Sequence, residues 1–346
     1  MDSIQDKLDR LSEKAIDQSK IFGTSFCIKH EDRIWHTCSG NLNIDSQYFI
    51  ASTTKLFVTA VILQFHAKRL LQLNDPISKY LDRGIIDGLL IHKGKDYSNQ
   101  ITIKDLLAHT SGIPDYFQMK NREGISLEMS IQKGVDMAWT FDEAVARSKK
   151  LTPLFAPGTP NKAHYSDTNY QLLGRIIELI SQKKLSVVFH ELIIQPSNLT
   201  KTYLYEDPND HRPAELYFQN KPLRIPLAMT SFGADGGIVS TSHDMMLFIT
   251  AFFEGKYFPK TMIEELKVWN KIFFPIRSGI GVHLFRLPWF LNPFGGVPEF
   301  IGHSGLSGAL AYYAPQKNIY ITGTVNQVAS PDLSFKQAIK LVLAVM

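Results

Sequence analysis

The chain has 346 residues, 44% of them hydrophobic and 20% charged, which is typical of a soluble globular protein and excludes a disordered one. Its formal net charge of +4 comes from scattered lysines and arginines, with no run of five or more, so it does not indicate a nucleic-acid-binding surface. Two cysteines are too few for a disulfide scaffold or a four-cysteine zinc site.

The N-terminal segment has an amphipathic pattern. Ile4, Leu8, Leu11 and Ile16 recur at helical spacing with charged residues between them, which predicts a surface helix. The segment lacks the pattern of a signal peptide, and no apolar run approaches the length that spans a bilayer. We therefore expect a cytoplasmic protein with no membrane span, or a periplasmic or secreted one if a leader has been removed.

A β-hairpin is predicted next. The runs SFCIKH and RIWHTCSG are strand-like and lie on either side of Glu31 and Asp32. Both cysteines, Cys27 and Cys38, fall in this hairpin, and we expect them to be free, buried thiols.

The remaining elements fall into three stretches. Residues 52–73 include LFVTAVILQF, which is apolar on nearly every face and predicts a buried helix. Residues 76–224 are rich in helical patterns, whereas residues 225–346 contain short β-prone runs, glycine-rich turns and a last helix. We predict an α+β fold in which both ends of the chain form an antiparallel sheet flanked by helices, with an inserted, mostly helical lobe. Residues 1–75 and 225–346 would form the sheet lobe and residues 76–224 the helical lobe, with the active site between them in one catalytic unit.

Ser52 and Lys55 stand at the start of the predicted buried helix. Their spacing places the lysine amine beside the serine hydroxyl, one helical turn away. Unpaired N–H groups at a helix start stabilise a developing oxyanion, and the helix dipole and apolar surroundings favour a neutral lysine that acts as a base. On these residues alone, a serine that simply caps the helix is the simpler interpretation.

Two further clusters contain groups suited to catalysis. Tyr165 and Asp167 precede a predicted helix, and a tyrosine phenol relays protons if a cation such as Lys55 lowers its pKa. The glycine-rich segment IGHSGLSGA contains His303 and Gly305 and allows a strand edge to approach a substrate closely. The structural alternatives are a packed tyrosine next to a helix cap and a strand entry with a satisfied histidine.

Together these elements resemble a family, that of class C β-lactamases, penicillin-binding D,D-peptidases and related esterases. The sequences STTK, Tyr-Ser-Asp and His-Ser-Gly occur in the order of that family's Ser-x-x-Lys, Tyr-x-Asn and Lys-Thr-Gly motifs. The segments DLLAHTSGIPDY, FAPGTPNKAHYSDTNYQLLG and FGADGGIVSTSHDM also resemble its connecting segments, and the resemblance covers about residues 20–345. It implies the β-lactamase/transpeptidase-like fold and a serine hydrolase that uses no cofactor and no metal.

The resemblance also assigns roles to residues. Ser52 would be the nucleophile and Lys55 its activator, while Tyr165 relays the proton to the leaving group and helps to activate the deacylating water. The N–H groups of Ser52 and Leu306 would form the oxyanion hole. His303 would be the remaining catalytic residue, and the residues expected to contact substrate are Asp167, Ser304, Gly305 and Tyr116.

The sequence departs from the family pattern at two positions. Asp167 replaces an asparagine, so an acceptor-only carboxylate stands near Lys55. His303 replaces a lysine, which resembles the esterase and aminopeptidase branches. These departures weaken the recognition of a substrate carboxylate, so we expect a small ester or amide to be cleaved in preference to a penicillin. His109, in a family-like setting, is expected to be structural.

Other functions fit the sequence less well. A lipase-type elbow at Ser304 would need glycine at position 306 and a later histidine, and neither is present. No closely spaced histidine pair indicates a metallohydrolase, and no phosphate-binding glycine loop indicates nucleotide chemistry. The remaining alternatives are a β-lactamase or D,D-carboxypeptidase acting on penicillins or peptidoglycan peptides, and a non-catalytic binding protein on the same fold. The expected partner is a small-molecule or peptide substrate, and the sequence leaves the oligomeric state open.

Overall fold

Helices occur at both ends and in the middle of residues 3–346, the part of the chain that this computed structural model describes. They are α1 (Ile4–Glu13), α2 (Lys55–Ala67), α3 (Arg83–Ile86), α4 (Ile103–Ala108), α5 (Leu127–Gln132), α6 (Phe141–Lys149), α7 (Asp167–Ser181), α8 (Leu185–Phe189), α9 (Pro226–Phe232), α10 (Ser242–Glu254), α11 (Met262–Glu265) and α12 (Asp332–Val345). Short 3₁₀ turns occupy Ala51–Thr54, Ile77–Lys79 and Ser98–Gln100, and a π-helical turn continues α8 over His190–Ile194.

Strands are longest near the two ends of the chain. They are β1 (Gly23–His30), β2 (Arg33–Gly40), β3 (Tyr48–Phe49), β4 (Ile91–His92), β5 (Lys95–Asp96), β6 (Tyr203–Leu204), β7 (Leu216–Phe218), β8 (Lys221–Leu223), β9 (Ile238–Ser240), β10 (Asn270–Phe273), β11 (Ile276–Ser278), β12 (His283–Phe285), β13 (Phe300–Ser304), β14 (Ala309–Ala314) and β15 (Ile319–Thr324).

Eight of these strands form one antiparallel sheet. Their order is β10-β11-β12-β13-β14-β15-β1-β2, so the N-terminal hairpin is hydrogen-bonded to the last strand of the chain. In the register of this junction, Cys27 pairs with Thr322 on one side and with His36 on the other. The predicted α+β fold, with an antiparallel sheet built from both ends of the chain and flanked by helices, is confirmed.

Side chains point alternately to the two faces of the sheet along each strand, and both faces are apolar. On β14, Ala309 and Ala311 belong to the large core that contains α2 and α10. Leu310 and Tyr312 belong to the other core, which packs against α1 and α12. Because successive side chains of a strand point to opposite faces, the near-continuous burial of these strands follows from helices that cover both sides.

The helix after Ser52 is shorter than predicted. The sequence pattern indicated residues 52–73, whereas α2 covers Lys55–Ala67 and begins in the 3₁₀ turn Ala51–Thr54. The helix ends where Arg69 adopts a left-handed conformation with φ of 59°. Every residue from Lys55 to Phe65 is buried, as the apolar pattern predicted.

The cysteine prediction needs one correction. Both thiols are free, but only Cys27 is buried, whereas Cys38 is half-buried. The two residues are not paired in the hairpin register, since Cys38 lies opposite Ser25 and Cys27 lies opposite His36.

A small sheet connects the two parts of the chain that were predicted as lobes. Its order is β3-β9-β6, and β6 lies within residues 76–224 whereas β3 and β9 lie outside that range. The division into two lobes remains a prediction. No helix within residues 3–346 is both long enough and apolar enough to cross a membrane.

Candidate active site

Ser52 lies in the 3₁₀ turn that leads into the buried helix α2. The turn is fixed by β9, because the Ile50 N–H donates to the Ile238 carbonyl at 3.0 Å and the Ile238 N–H donates to Thr54 Oγ1 at 3.2 Å. Ala51, the residue before the serine, has φ of 45°, a conformation that costs energy for a residue other than glycine. This strained conformation places the Ser52 side chain at the N-terminal end of α2.

Three predicted site residues come together at the Ser52 hydroxyl. Lys55 Nζ donates to Ser52 Oγ at 3.0 Å, and Tyr165 Oη donates to the same oxygen at 2.7 Å. The spacing of three residues places Lys55 directly after Ser52 on one side of the turn, since side chains at i and i+3 overlap in a 3₁₀ turn. Tyr165 arrives from the loop that precedes α7. The serine oxygen therefore accepts two hydrogen bonds from groups that can also carry a proton.

Lys55 uses all three of its protons. Besides Ser52, Nζ donates to Asp167 Oδ1 at 2.6 Å and to the Asp235 carbonyl at 2.6 Å. The ammonium has no exposed surface and the Asp167 side chain has little. The surroundings of the Lys55 amine are therefore polar rather than apolar as expected, because the Asp167 carboxyl lies against it.

Asp167 is the first residue of α7, where the unpaired N–H groups and the helix dipole stabilise a negative charge. Two other buried carboxyls, Asp115 and Asp235, lie near it. Burial raises the pKa of each well above its usual range, and the charge of Asp167 raises the pKa further. Of these three carboxyls, Asp167 forms the ion pair with Lys55, whereas the raised pKa values of Asp115 and Asp235 favour their protonated forms.

The Tyr165 phenol is a neutral donor. Burial raises its pKa well above the usual range, and the nearby Asp167 carboxylate adds to this increase. The expectation that Lys55 lowers the pKa of Tyr165 is therefore wrong, although Lys55 Nζ lies 5.1 Å from the centre of the Tyr165 ring. The family pattern has asparagine at position 167, and the aspartate that stands there in this chain accounts for part of the increase in the Tyr165 pKa.

His109 holds the segment around Tyr165 in place. Its carbonyl accepts from the His164 N–H at 2.9 Å, and its Nδ1 accepts from the Ser166 N–H at 3.1 Å. Its ring also stacks on the Tyr165 ring, with centres 4.6 Å apart. This geometry agrees with the structural role that the sequence suggested for His109.

The glycine-rich end of β13 approaches the nucleophile closely. A Cβ atom on Gly305 would lie 2.4 Å from the Ile50 carbonyl oxygen and 3.1 Å from the Ser52 nitrogen, so only glycine fits. The next residue, Leu306, lines the same cavity as Ser52. Ser52 is near the start of its 3₁₀ turn, where N–H groups lack partners within the helix. These two neighbouring N–H groups are the candidates for an oxyanion hole.

His303 lies behind Tyr165 rather than in the open cavity. It is 1% exposed, its Nδ1–H donates to the Ser304 carbonyl at 2.8 Å, and its ring stacks on His283 with centres 3.8 Å apart. Burial lowers the pKa of His303 well below the usual range, and it lowers the pKa of His283 to about 3. A neutral imidazole is thus enclosed beside the Tyr165 ring, and the catalytic role that the resemblance implied for His303 remains a prediction.

Two predicted substrate-binding side chains do not line the cavity beside Ser52. Ser304 pairs with Leu310 across β13 and β14, which places its side chain on the sheet face that packs against α1 and α12. Tyr116 is 2% exposed, and its hydroxyl donates to Asp235 Oδ2 at 2.8 Å. Neither prediction of substrate contact fits these positions, and Tyr116 instead orients a buried carboxyl.

A largely apolar cavity opens beside Ser52. Its polar lining includes Asp167, Asp235 and Glu128, the last with a pKa raised by burial. Its apolar walls are formed by Phe49, Phe117, Ile131, Leu216, Leu223, Ile225, Met229, Phe232, Leu306 and Val328. A cavity of this kind accommodates an apolar acyl or side-chain group next to the nucleophile.

Sequence reasoning missed Asp115, Asp235, His283 and Glu128. Asp235 occurs in FGADGG and His283 in IGVHLF, and each is a polar residue within an otherwise apolar or glycine-rich run. Such a residue in a buried strand or turn is a signal for a buried polar contact. The partners, however, come from distant parts of the chain, so the pattern alone could not identify them.

The chain is similar to known proteins over most of its length. A family model described as Beta-lactamase matches residues 8–345. A protein of Salmonella paratyphi A that carries the name of a D-alanyl-D-alanine carboxypeptidase is 27% identical over 326 residues, which cover 83% of this chain and 71% of that protein.

Solved structures show the same fold. The D-stereospecific amidohydrolase from Streptomyces sp. is 24% identical with a TM-score of 0.78, over 98% of this chain and 97% of its own. The D-amino acid amidase from Ochrobactrum anthropi SV3 is 19% identical with a TM-score of 0.80, over 99% of this chain and 98% of its own.

Proposed function

The chain belongs to the beta-lactamase family, which makes it a serine hydrolase, and on this premise we propose that Ser52 is the nucleophile that becomes acylated. The observation that supports this most strongly is the position of Ser52 Oγ, which accepts from both Lys55 Nζ and Tyr165 Oη. No other class of function, including a non-catalytic binding role, explains why two proton-carrying groups converge on one serine oxygen at the mouth of a cavity.

The general base is the pair formed by Lys55 and Asp167. As a charged donor with three acceptors, Lys55 cannot accept the serine proton until it has lost one of its own. Asp167 Oδ1, at 2.6 Å, is positioned to take that proton. As Lys55 transfers a proton to Asp167, it accepts the proton of Ser52, and Ser52 Oγ attacks the substrate carbonyl carbon.

The remaining steps use the groups on the other side of the serine. The oxyanion of the tetrahedral intermediate accepts from the N–H groups of Ser52 and Leu306. When the intermediate collapses, the leaving group takes a proton from Tyr165, whose neutral phenol is a donor in the resting state. Water then attacks the acyl carbon and gives a proton to the Tyr165 phenolate. As the acid leaves, Ser52 Oγ takes a proton from Lys55, which recovers its own from Asp167.

The substrate that we propose is a small ester or amide with an apolar group on the acyl side. The apolar walls of the cavity supply the binding surface for that group. Asp167 repels a substrate carboxylate, and the buried, neutral His303 offers no positive charge to attract one. Penicillins and peptides with a free C-terminus are therefore disfavoured.

Glu128 favours a second candidate within this class, the amide or ester of an amino acid with a free amino group. Its half-buried carboxyl lines the cavity together with Ser52, and Gln132 Nε2 donates to its Oε1 at 3.1 Å. A carboxylate in an apolar cavity forms a strong interaction with an ammonium group. The names of the two amidases of similar fold are consistent with such substrates.

A pre-steady-state experiment tests the acyl-enzyme directly. Mixing the protein with excess p-nitrophenyl butyrate is expected to release a burst of about one p-nitrophenolate per Ser52 before the steady rate. Denatured protein from the burst phase should carry one butyryl group on the peptide that contains Ser52. A butyryl group on any other residue would contradict the proposal.

A further inference from the structure

A group of metal-ligating side chains lies on the sheet away from the cavity beside Ser52. Cys27 is on β1 and His36 on β2, and they are direct partners in the antiparallel register. Directly opposite residues place their side chains on the same face of a sheet, close together. His243, in the first turn of α10, completes the group.

The helix α10 is held against this face of the hairpin. Ser25, two residues before Cys27 and therefore on the same face, hydrogen-bonds through its hydroxyl to that of Ser242 at 3.0 Å. Ser242 O accepts from Thr322 Oγ1, the residue that pairs with Cys27 on β15. One hairpin and a helix distant from it in sequence thus bring one sulfur and two imidazoles together, and none of these residues lines the cavity at Ser52.

The distances fit a small metal ion. Cys27 Sγ lies 3.8 Å from His36 Nε2, and the rings of His36 and His243 have centres 5.2 Å apart. One ligand atom from each of the three residues lies within 4.8 Å of the others. In a tetrahedral zinc site, with Zn–S of about 2.3 Å and Zn–N of about 2.0 Å, sulfur and nitrogen are about 3.5 Å apart. Small side-chain rotations are therefore sufficient to reach this geometry.

The polar atoms of the group are also available to a metal. His36 Nδ1 is buried and has no hydrogen-bond partner among residues 3–346. Cys27 is a free, buried thiol, so the metal must displace the thiol proton, as it does in other thiolate sites.

We propose that Cys27, His36 and His243 bind one Zn²⁺ ion, with water in the fourth position. A set of one thiolate and two imidazoles suits zinc, whereas calcium and magnesium prefer oxygen ligands. Binding forms a Zn–S bond and releases the thiol proton to solvent. Because β2 is the edge strand of the sheet, the ion would join this edge to α10 and stabilise the folded state.

Cobalt titration of the full-length protein tests the site, because Co²⁺ replaces Zn²⁺ and a thiolate ligand gives an intense charge-transfer band in the near ultraviolet. We expect one equivalent of Co²⁺ to produce this band and one equivalent of Zn²⁺ to remove it. Cys27→Ser should lose the band, and His243→Ala should weaken Co²⁺ binding by about tenfold or more. Cys38→Ser is the matched control, since it removes the other cysteine of the hairpin and should leave the titration unchanged.

A thermal measurement separates a lost ligand from a lost fold. Zn²⁺ is expected to raise the Tm of the wild type and of Cys38→Ser, but not that of His243→Ala, whose exposed position at the helix start allows folding. A Zn²⁺-dependent rise that persists in His243→Ala, a charge-transfer band that persists in Cys27→Ser, or the absence of a band in the wild type would each overturn the proposal.

Discussion

Lys55 Nζ and Asp167 Oδ1 are 2.6 Å apart in the interior of the protein. This ion pair explains two properties of the site at once. It holds Lys55 as a charged donor to Ser52, and its carboxylate is one reason why the pKa of Tyr165 is raised. In the mechanism that we propose, the base forms when Asp167 takes a proton from Lys55.

Asp167→Asn is expected to lower ester activity and to raise β-lactam activity relative to ester activity. The amide cannot accept the Lys55 proton, so kcat/KM for p-nitrophenyl butyrate should fall by about tenfold or more. Removal of the negative charge should favour a carboxylate-bearing substrate, so the ratio of nitrocefin to ester activity should rise by about tenfold to a hundredfold. Asp45→Asn, which changes an exposed carboxylate paired with Lys201, is the control and should alter neither value.

His303 stands where the family pattern has a lysine. A lysine there would place an ammonium in the space of a side chain that is 1% exposed and stacked on His283. An unchanged ratio of nitrocefin to ester activity in Asp167→Asn would show that Asp167 does not set substrate choice.

Tyr165 and Lys55 should act as one unit. Tyr165→Phe removes the phenol that donates to Ser52, and kcat is expected to fall by about a hundredfold or more. Because both groups hydrogen-bond to Ser52 Oγ and act in one catalytic sequence, adding Lys55→Ala should cost much less than it does in the wild type. Steady-state kinetics of both single variants and the double variant measure this, with circular dichroism as the control for folding. If the loss of kcat in the double variant equals the product of the losses in the two single variants, the shared relay is contradicted.

The buried histidines predict a loss of stability in acid. His283 has a folded pKa of about 3, lowered by burial, whereas an unfolded histidine titrates near 6.5. The unfolded state therefore binds more protons between these values, so stability falls as the pH decreases through 6.5. His283→Phe removes this penalty. As the pH decreases from 8 to 5.5, the free energy of unfolding of the variant should therefore rise by about 1.4 kcal/mol relative to that of the wild type.

Urea denaturation at the two pH values measures this change. His211→Phe is the control, because its side chain is exposed and should leave the pH dependence of the wild type unaltered. Parallel stability profiles for wild type and His283→Phe would mean that His283 is not buried as a neutral group.

The apolar cavity predicts a preference for longer acyl groups. Each methylene that becomes buried contributes about 0.8 kcal/mol, so kcat/KM should rise by about tenfold from p-nitrophenyl acetate to butyrate. Ile225→Trp, at a wall residue that is 5% exposed, should abolish the preference by filling the cavity. Leu227→Trp places the same ring two residues away, at a position that is 43% exposed, and this variant should retain the preference for butyrate. Equal activity on the two esters in the wild type would show that the acyl group does not enter this cavity.

The sequence was sufficient for the fold and for the residues around the serine. Ser52 and Lys55 are three residues apart where a 3₁₀ turn leads into the buried helix α2, so their proximity follows from local geometry. Tyr165 could be added only through the resemblance to a family, because its contact with Ser52 joins distant segments. The antiparallel sheet was predictable from β-prone runs at both ends of the chain.

What the sequence could not provide depends on packing between distant elements. Residues alternate between the two faces of the sheet along β13 and just beyond it, so His303 and Gly305 lie on one side and Ser304 lies on the other. A shift of one residue in the strand register would have reversed these positions. The charge of Lys55 depends on Asp167, and the pKa values of Asp115 and Asp235 depend on burial that no local pattern reveals.

The most direct test of the central claim is intact-mass analysis after reaction with a fluorophosphonate. The wild type should gain the mass of one phosphonyl group, Ser52→Ala should gain none, and Ser304→Ala should react as the wild type does, because Ser304 lies on the opposite face of the sheet. Labelling of Ser52→Ala at the wild-type rate would contradict the assignment of Ser52 as the nucleophile.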